Sequence, residues 1–224
     1  MASVLFFLLG IPTAFIAERL MRRFTRLDDH VAEDGSTAAK RLPWQRDAWP
    51  ARVRFLVAAF IPPLMALAGD RFDLGPAIGV SLLVVALLIC TATDLLRYRV
   101  PNAITYPGIL LALMAAALMP GSGLKDALAA MFVAGGIFLF LAILTRGGMG
   151  LGDVKLAALI GAGLGLQTSY QALFVGVFAA GMVLLLLLAT GVVSRKQAVP
   201  YAPFLALGAL AMVFLHGAAF APIS

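Results

Sequence analysis

The chain has 224 residues, of which 62% are hydrophobic and 12% charged, and its formal net charge is +6. Its mean hydropathy of +1.00 exceeds what a water-soluble domain needs for its core. The apolar residues form continuous runs, which is the pattern of membrane-spanning helices. The single cysteine, Cys90, excludes an internal disulfide and a Cys-x-x-Cys zinc site. We therefore predict an all-α fold, a polytopic transmembrane helical bundle.

In chain order, the apolar runs predict about eight spans. The first run has no positive charge before Leu5 and is followed by Arg19, which favours a retained helix with its N-terminus outside over a cleaved signal peptide. Two of the runs, 55–69 and 154–166, are short for a hydrocarbon core of about 30 Å. The approximate span cores are 3–17, 55–69, 76–93, 104–119, 125–145, 154–166, 171–193 and 203–221.

The placement of basic residues orients these spans. Of the 17 lysines and arginines, all but Arg71 and Lys125 belong to the same side of the predicted topology. They lie in every second connection between spans, and Lys155 lies directly beside such a connection. This bias predicts both termini outside and the first loop in the cytoplasm. We divide the chain into 1–54, the first span with a basic cytoplasmic loop, and 55–224, the membrane domain. Interspersed acids in the loop favour membrane lipid over nucleic acid as its partner. The predicted inner connections are 18–54, 94–103, 146–153 and 194–202.

Two aspartates stand out in this topology. Asp94 ends the third predicted span, and Asp153 ends the glycine-rich run before the sixth. Both lie at the inner ends of spans and therefore at the same predicted depth. An ionisable group at such a position is a functional candidate. Two facing carboxylates can share a proton and activate a water molecule, which is the chemistry of acid–base hydrolysis.

Three motifs carry a family resemblance. Asp94-Leu-Leu-Arg-Tyr-Arg-Val-Pro-Asn102 resembles the first aspartate motif of the type IV prepilin peptidases. Gly150-Leu-Gly-Asp153-Val-Lys155 is similar to their Gly-x-Gly-Asp-x-Lys motif, and Val199-Pro-Tyr-Ala-Pro-Phe204 resembles the segment before their last span. The motifs occur in the family's order, with suitable spans between them.

The resemblance implies an inner-membrane aspartic endopeptidase that removes the basic leader from prepilins or pseudopilins at the cytoplasmic face. It implies that Asp94 and Asp153 are the catalytic pair and that cleavage needs neither a metal nor another cofactor. Supporting or substrate-binding roles are implied for Gly150, Gly152, Lys155, Pro101, Asn102 and Pro200.

The first 55 residues depart from the larger members of that family. Those enzymes carry two Cys-x-x-Cys pairs in the first loop and methylate the new N-terminus with S-adenosylmethionine. The loop between Arg19 and Arg54 contains no cysteine. Zinc binding in this loop is therefore excluded, and N-methylation is doubtful.

Two other functions compete with the prepilin peptidase hypothesis. A presenilin-like intramembrane protease shares the Gly-x-Gly-Asp motif, but its first aspartate lies mid-span after a tyrosine, whereas Asp94 follows Thr93 at the end of a span. A proton-coupled transporter would use Asp94 and Asp153 as a relay, and it predicts inverted repeats and charges near the middle of the membrane. Neither feature is visible in the sequence.

Overall fold

The structure is a computed structural model that describes residues 2–26, 49–119, 123–145, 149–191 and 199–222. Within these ranges the chain is helical apart from short turns and one small hairpin, which confirms the predicted all-α class. Most of the predicted cytoplasmic loop lies outside the described residues. The elements are α1 (Ala2–Arg26), α2 (Trp49–Ala59), α3 (Ile61–Arg71), α4 (Leu74–Arg97), α5 (Asn102–Leu118), α6 (Leu124–Leu144), α7 (Leu151–Leu164), α8 (Leu166–Ala189), α9 (Ala202–His216), β1 (Gly217–Ala218) and β2 (Ala221–Pro222).

Each of the eight predicted spans contains helix among its described residues. The described residues hold five helical segments that are long and apolar enough to cross a membrane, and α5 and α9 are shorter apolar helices. The predicted span 55–69 is formed by two helices, α2 and α3, which meet at Phe60. These features confirm a polytopic helical bundle, while eight crossings and outside termini stay predictions. The five long segments are Ala2–Phe24, Ala51–Arg71, Leu74–Arg97, Leu124–Leu144 and Leu166–Ala189.

The centre of the bundle is built from α4 and α7. Of the five candidate spans, α4 is the most buried. Helix α7 has 14 residues and is mostly buried. At 1.5 Å per residue it is about 21 Å long, which is shorter than the hydrocarbon core. Because neighbouring helices surround it, α7 need not span the full thickness of the lipid.

Glycines allow the helices around this centre to approach closely. A Cβ atom on Gly161 of α7 would overlap the backbone of Ala130 in α6. In the same way, a Cβ atom on Gly208 of α9 would overlap the carbonyl of Ala172 in α8. Small residues at helix contacts are typical of membrane bundles, where close backbone packing replaces the hydrophobic effect as a source of stability.

A buried ionic contact joins the first two helices. Glu18 of α1 is only 3% exposed. Its Oε1 atom accepts a hydrogen bond of 3.0 Å from Arg22 of the same helix and one of 3.4 Å from Arg54 of α2. A buried carboxylate requires such partners, because an unpaired charge in the interior is costly.

The last helix ends earlier than the sequence predicted. The expected span reached residue 221, but α9 ends at His216 because Gly217 leaves the helical conformation, with a positive φ of 88° that glycine adopts readily. The chain then forms the β1–β2 hairpin, in which Ala218 pairs with Ala221. The N–H of Ala219 donates to the carbonyl oxygen of Gly163 at 2.9 Å, which fixes the hairpin to the end of α7.

Candidate active site

The C-terminal end of α4 presents the first aspartate. Asp94 lies one turn before the helix ends, and its backbone carbonyl oxygen accepts a hydrogen bond of 2.8 Å from the N–H of Tyr98. Tyr98 has a φ of 53°, a left-handed conformation that is uncommon for a residue with a side chain. This conformation ends α4 and turns the chain towards Pro101, the N-cap of α5. The turn keeps the Asp94–Asn102 motif at one end of the bundle.

The N-terminal end of α7 presents the second aspartate. Gly150 is the N-cap, and its carbonyl oxygen accepts a hydrogen bond of 3.0 Å from the N–H of Asp153. Asp153 thus lies in the first turn, where the partial positive charge of the helix N-terminus favours a carboxylate. A Cβ atom on Gly152 would lie 3.1 Å from Cγ2 of Val100. Glycine at this position therefore lets α7 begin close to the turn after α4 without displacing Val100.

Both aspartates line one cavity of about 490 Å³. Asp94 is 5% exposed and Asp153 is 8% exposed, so both are largely removed from solvent while still facing the cavity. The cavity brings together residues from the first two motifs, which are separated by more than one span along the chain. Its lining includes all but one of the residues predicted for the site, namely Asp94, Pro101, Asn102, Gly150, Gly152, Asp153 and Lys155.

The third motif reaches Asp94 through the backbone. The N–H of Ala202, the first residue of α9, donates a hydrogen bond of 3.0 Å to Oδ2 of Asp94. A helix N-terminus is a favourable site for an anion, because its N–H groups lack partners within the helix. Pro200, the predicted residue that does not line the cavity, is buried two positions before this donor. Its position assigns it to the loop that places the start of α9.

Lys155 connects the second motif to the first. Its Nζ atom donates a hydrogen bond of 2.6 Å to Oδ1 of Asn102. The same atom lies 5.6 Å from the centre of the Tyr106 ring, within the range of a cation–π contact. The contact therefore joins the N-terminal part of α7 to the start of α5, and both residues line the cavity.

Comparison with known proteins relates this arrangement to one family. Residues 81–185, which include both aspartates, match the type IV leader peptidase family. A prepilin leader peptidase/N-methyltransferase of Bacillus subtilis (strain 168) is 34% identical over 158 residues, which are 69% of this chain. The chain is similar to the type IV leader peptidase family over the segment that holds both aspartates. The match covers 62% of that relative's length. No solved structure matches the chain.

Several residues that line the cavity or contact its aspartates were not predicted. The most important is the backbone N–H of Ala202, which has no sequence signal of its own because every residue except proline carries this group. Val100 was quoted within the first motif, but only its contact with Gly152 gives it a role. Phe24 of α1 also lines the cavity. Its apolar side chain resembles many others in the chain, so composition alone does not single it out.

Proposed function

We propose that this protein is a membrane aspartic endopeptidase that removes the basic leader from type IV prepilin-like or pseudopilin substrates. The observation that carries the proposal is the single cavity lined by Asp94 of α4 and Asp153 of α7, within the segment that matches the leader peptidase family. The predicted excess of basic residues in the connections at this end of the bundle supports a position of the cavity at the cytoplasmic face of the inner membrane. Prepilins or pseudopilins and membrane lipid are then its partners.

The proposed reaction uses the two carboxyl groups in complementary states. An ionised carboxylate takes a proton from water, and the water oxygen attacks the carbonyl carbon of the scissile peptide bond. The other, protonated carboxyl group donates a hydrogen bond to the carbonyl oxygen as negative charge develops there. The tetrahedral intermediate then collapses, the C–N bond breaks, and the leaving amine receives the proton that the first carboxylate took from water. No covalent enzyme intermediate forms.

The other residues have supporting roles in this proposal. The hydrogen bond from Ala202 fixes the orientation of the Asp94 carboxylate. Gly150, Gly152 and Pro101 set the backbone around the two aspartates, and the Lys155–Asn102 contact holds α7 against α5. These groups provide the preorganisation on which positioning and electrostatic catalysis depend. The peptidase would reside in residues 55–224, and 1–54 would add the first span and the cytoplasmic loop.

The proposal covers cleavage of the leader and does not include N-methylation of the product. The Bacillus subtilis relative carries N-methyltransferase in its name. The first loop of this chain contains no cysteine, and this departs from the larger enzymes that combine the two reactions. The mass of the cleaved N-terminus measures the two activities separately.

Co-expression with a prepilin tests the proposal. We expect the native chain to remove the leader, and both Asp94→Asn and Asp153→Asn to abolish removal, because each variant loses one of the two acid–base groups. A loss of about 1,000-fold or more is the size expected for a catalytic group. Immunoblotting resolves the precursor from the product, and mass spectrometry identifies the new N-terminus.

Asp70→Asn is the matched control, because Asp70 is an exposed carboxylate at the C-terminal end of α3. The Asp70→Asn variant should remove the leader at the native rate. Leader removal that persists in either catalytic-pair variant would refute the proposal. Proton-coupled uptake that disappears in Asp94→Asn while cleavage persists would favour the transporter instead.

A further inference from the structure

An apolar groove continues from the catalytic cavity along the outside of α4 and α5. It has a volume of about 520 Å³, and its lining consists only of apolar side chains, glycines and one proline. Ala103, at the start of α5, lines both the groove and the cavity. The groove and the cavity that holds Asp94 and Asp153 therefore adjoin at this residue.

The groove has the length of a membrane-spanning helix. Its lining runs from Ala103 to Met119 on α5, which corresponds to about 24 Å of helix. On α4 it runs from Ile89 to Gly75, which corresponds to about 21 Å. These lengths approach the thickness of the hydrocarbon core, which is about 30 Å. One end of the groove is the cavity, and the other lies near the opposite membrane surface in the predicted topology.

We propose that this groove holds the apolar helix of the substrate, the segment that follows the scissile bond. The inference rests on the proposed peptidase function and adds the place where the substrate is bound. A substrate anchored in the membrane must present its scissile bond to the two aspartates without leaving the lipid. A helix lying along α4 and α5 does so, because its cytoplasmic end reaches the cavity at Ala103.

Charge and lining agree with this occupant. The cavity end of the groove carries polar and ionisable side chains, including Asp94, Asn102 and Lys155, whereas the groove itself is apolar. The substrate has the same division, because a cleavage point at the membrane edge separates a polar leader from an apolar helix. Apolar helices that lie in grooves are recognised by side chains at regular helical spacing.

A second apolar groove provides an internal comparison. It lies between α6 and α8 and has a volume of about 230 Å³. It shares no lining residue with the catalytic cavity. Ile137 and Val177 in this groove are 53% and 42% exposed, and Leu82 and Leu111 in the first groove are 48% and 45% exposed. The two pairs therefore present similar apolar surface to lipid and differ in their connection to the cavity.

Photocrosslinking tests the occupant. The photoreactive residue benzoylphenylalanine is placed at Leu82 or Leu111, or at Ile137 or Val177 as controls, in the full-length protein co-expressed with a prepilin. We expect covalent adducts with prepilin or its mature product from the first two positions and not from the controls. Adducts with lipid alone, adducts with a second copy of this chain alone, or equal prepilin adducts from both grooves would overturn the proposal.

Blocking the groove gives an independent readout. We expect Leu82→Trp and Leu111→Trp to slow leader removal about tenfold, whereas Ile137→Trp and Val177→Trp change it less than about twofold. The native protein could remove the leader while the groove variants cleave at the native rate and no prepilin adducts form. This result would reject the groove as the substrate site and leave the proposed peptidase function intact. A native protein that removes no leader from any prepilin tested rejects the function and, with it, the groove as a substrate site.

Discussion

Each carboxylate of the proposed catalytic pair is in contact with the N-terminal turn of a helix. Asp153 lies in the first turn of α7, and Asp94 accepts the N–H of Ala202 at the start of α9. Asp94 belongs to the C-terminal end of its own helix, where the α4 dipole disfavours negative charge. The contact from α9 supplies the opposite field. The N-termini of two helices thus stabilise the negative charge of two carboxylates at the edge of an apolar bundle.

Gly152 determines how closely Asp153 approaches the Asp94 motif. In Gly152→Ala, the new Cβ atom would lie 3.1 Å from Cγ2 and 3.2 Å from Cβ of Val100. We expect Val100 or the start of α7 to shift by a few tenths of an ångström and leader removal to slow about tenfold, since even a displacement of about 1 Å costs about 100-fold in catalysis. A time course of prepilin processing measures the loss.

Gly150 and Val100 provide the controls for this variant. A Cβ atom on Gly150 would lie 3.6 Å from Oδ2 of Asp153, which is ordinary contact, so Gly150→Ala should retain most of the activity. Adding Val100→Ala to Gly152→Ala removes the group that the new methyl meets and should restore activity. A double variant as slow as Gly152→Ala would contradict the proposed contact.

The Lys155–Asn102 hydrogen bond is open to a double-mutant cycle. We expect Lys155→Met and Asn102→Ala each to slow leader removal about two- to tenfold, in keeping with about 0.5–1.5 kcal/mol for one hydrogen bond. The double variant should be no slower than the slower single variant, because both changes remove the same contact. Asn102→Asp keeps an acceptor for Lys155 and should remain active. Independent, multiplicative losses would show that the two residues act separately.

At the scale of whole elements, α7 depends on its contact with α6. We expect Gly161→Ala to destabilise the protein by about 1–3 kcal/mol, because overpacking a close contact has this cost. The overlap involves the Ala130 backbone, which cannot move without displacing α6. Thermal unfolding of the detergent-solubilised protein measures the change.

Gly136 of α6 is the matched control for this helix contact. Among the described residues, no atom lies within 4 Å of the position of its Cβ. Gly136→Ala should therefore leave stability unchanged or raise it by up to about 1 kcal/mol, because alanine is the better helix former. Equal destabilisation by the two substitutions would contradict the assignment of Gly161 to the α6–α7 contact.

At the scale of the whole molecule, the orientation in the membrane is a prediction from the basic residues. Fusions of alkaline phosphatase, which is active only outside the cytoplasm, test it. We expect activity after Met119 and after Ser224, and none after Thr145 at the end of α6. The opposite pattern would place the catalytic cavity at the outer face and would contradict cleavage on the cytoplasmic side.

The sequence predicted the positions of the helices well, because the hydropathy of an apolar run depends only on the residues of that run. Each apolar run became a helix, and even the short run that begins near Asp153 became α7. The last predicted span was too long, because the effect of the backbone at Gly217 is not visible in hydropathy. The predicted single span at 55–69 became α2 and α3, which meet before Pro62 and Pro63.

By itself, the sequence determined the class of the protein, the order of its helices and the two aspartates, because composition and motif spacing belong to the chain. Only the tertiary structure decided that Asp94 and Asp153 line one cavity, that α9 donates to Asp94, and that a groove along α4 and α5 opens at Ala103. These features join residues far apart in sequence, and the packing of helices, including contacts that only glycine permits, sets the distances between them.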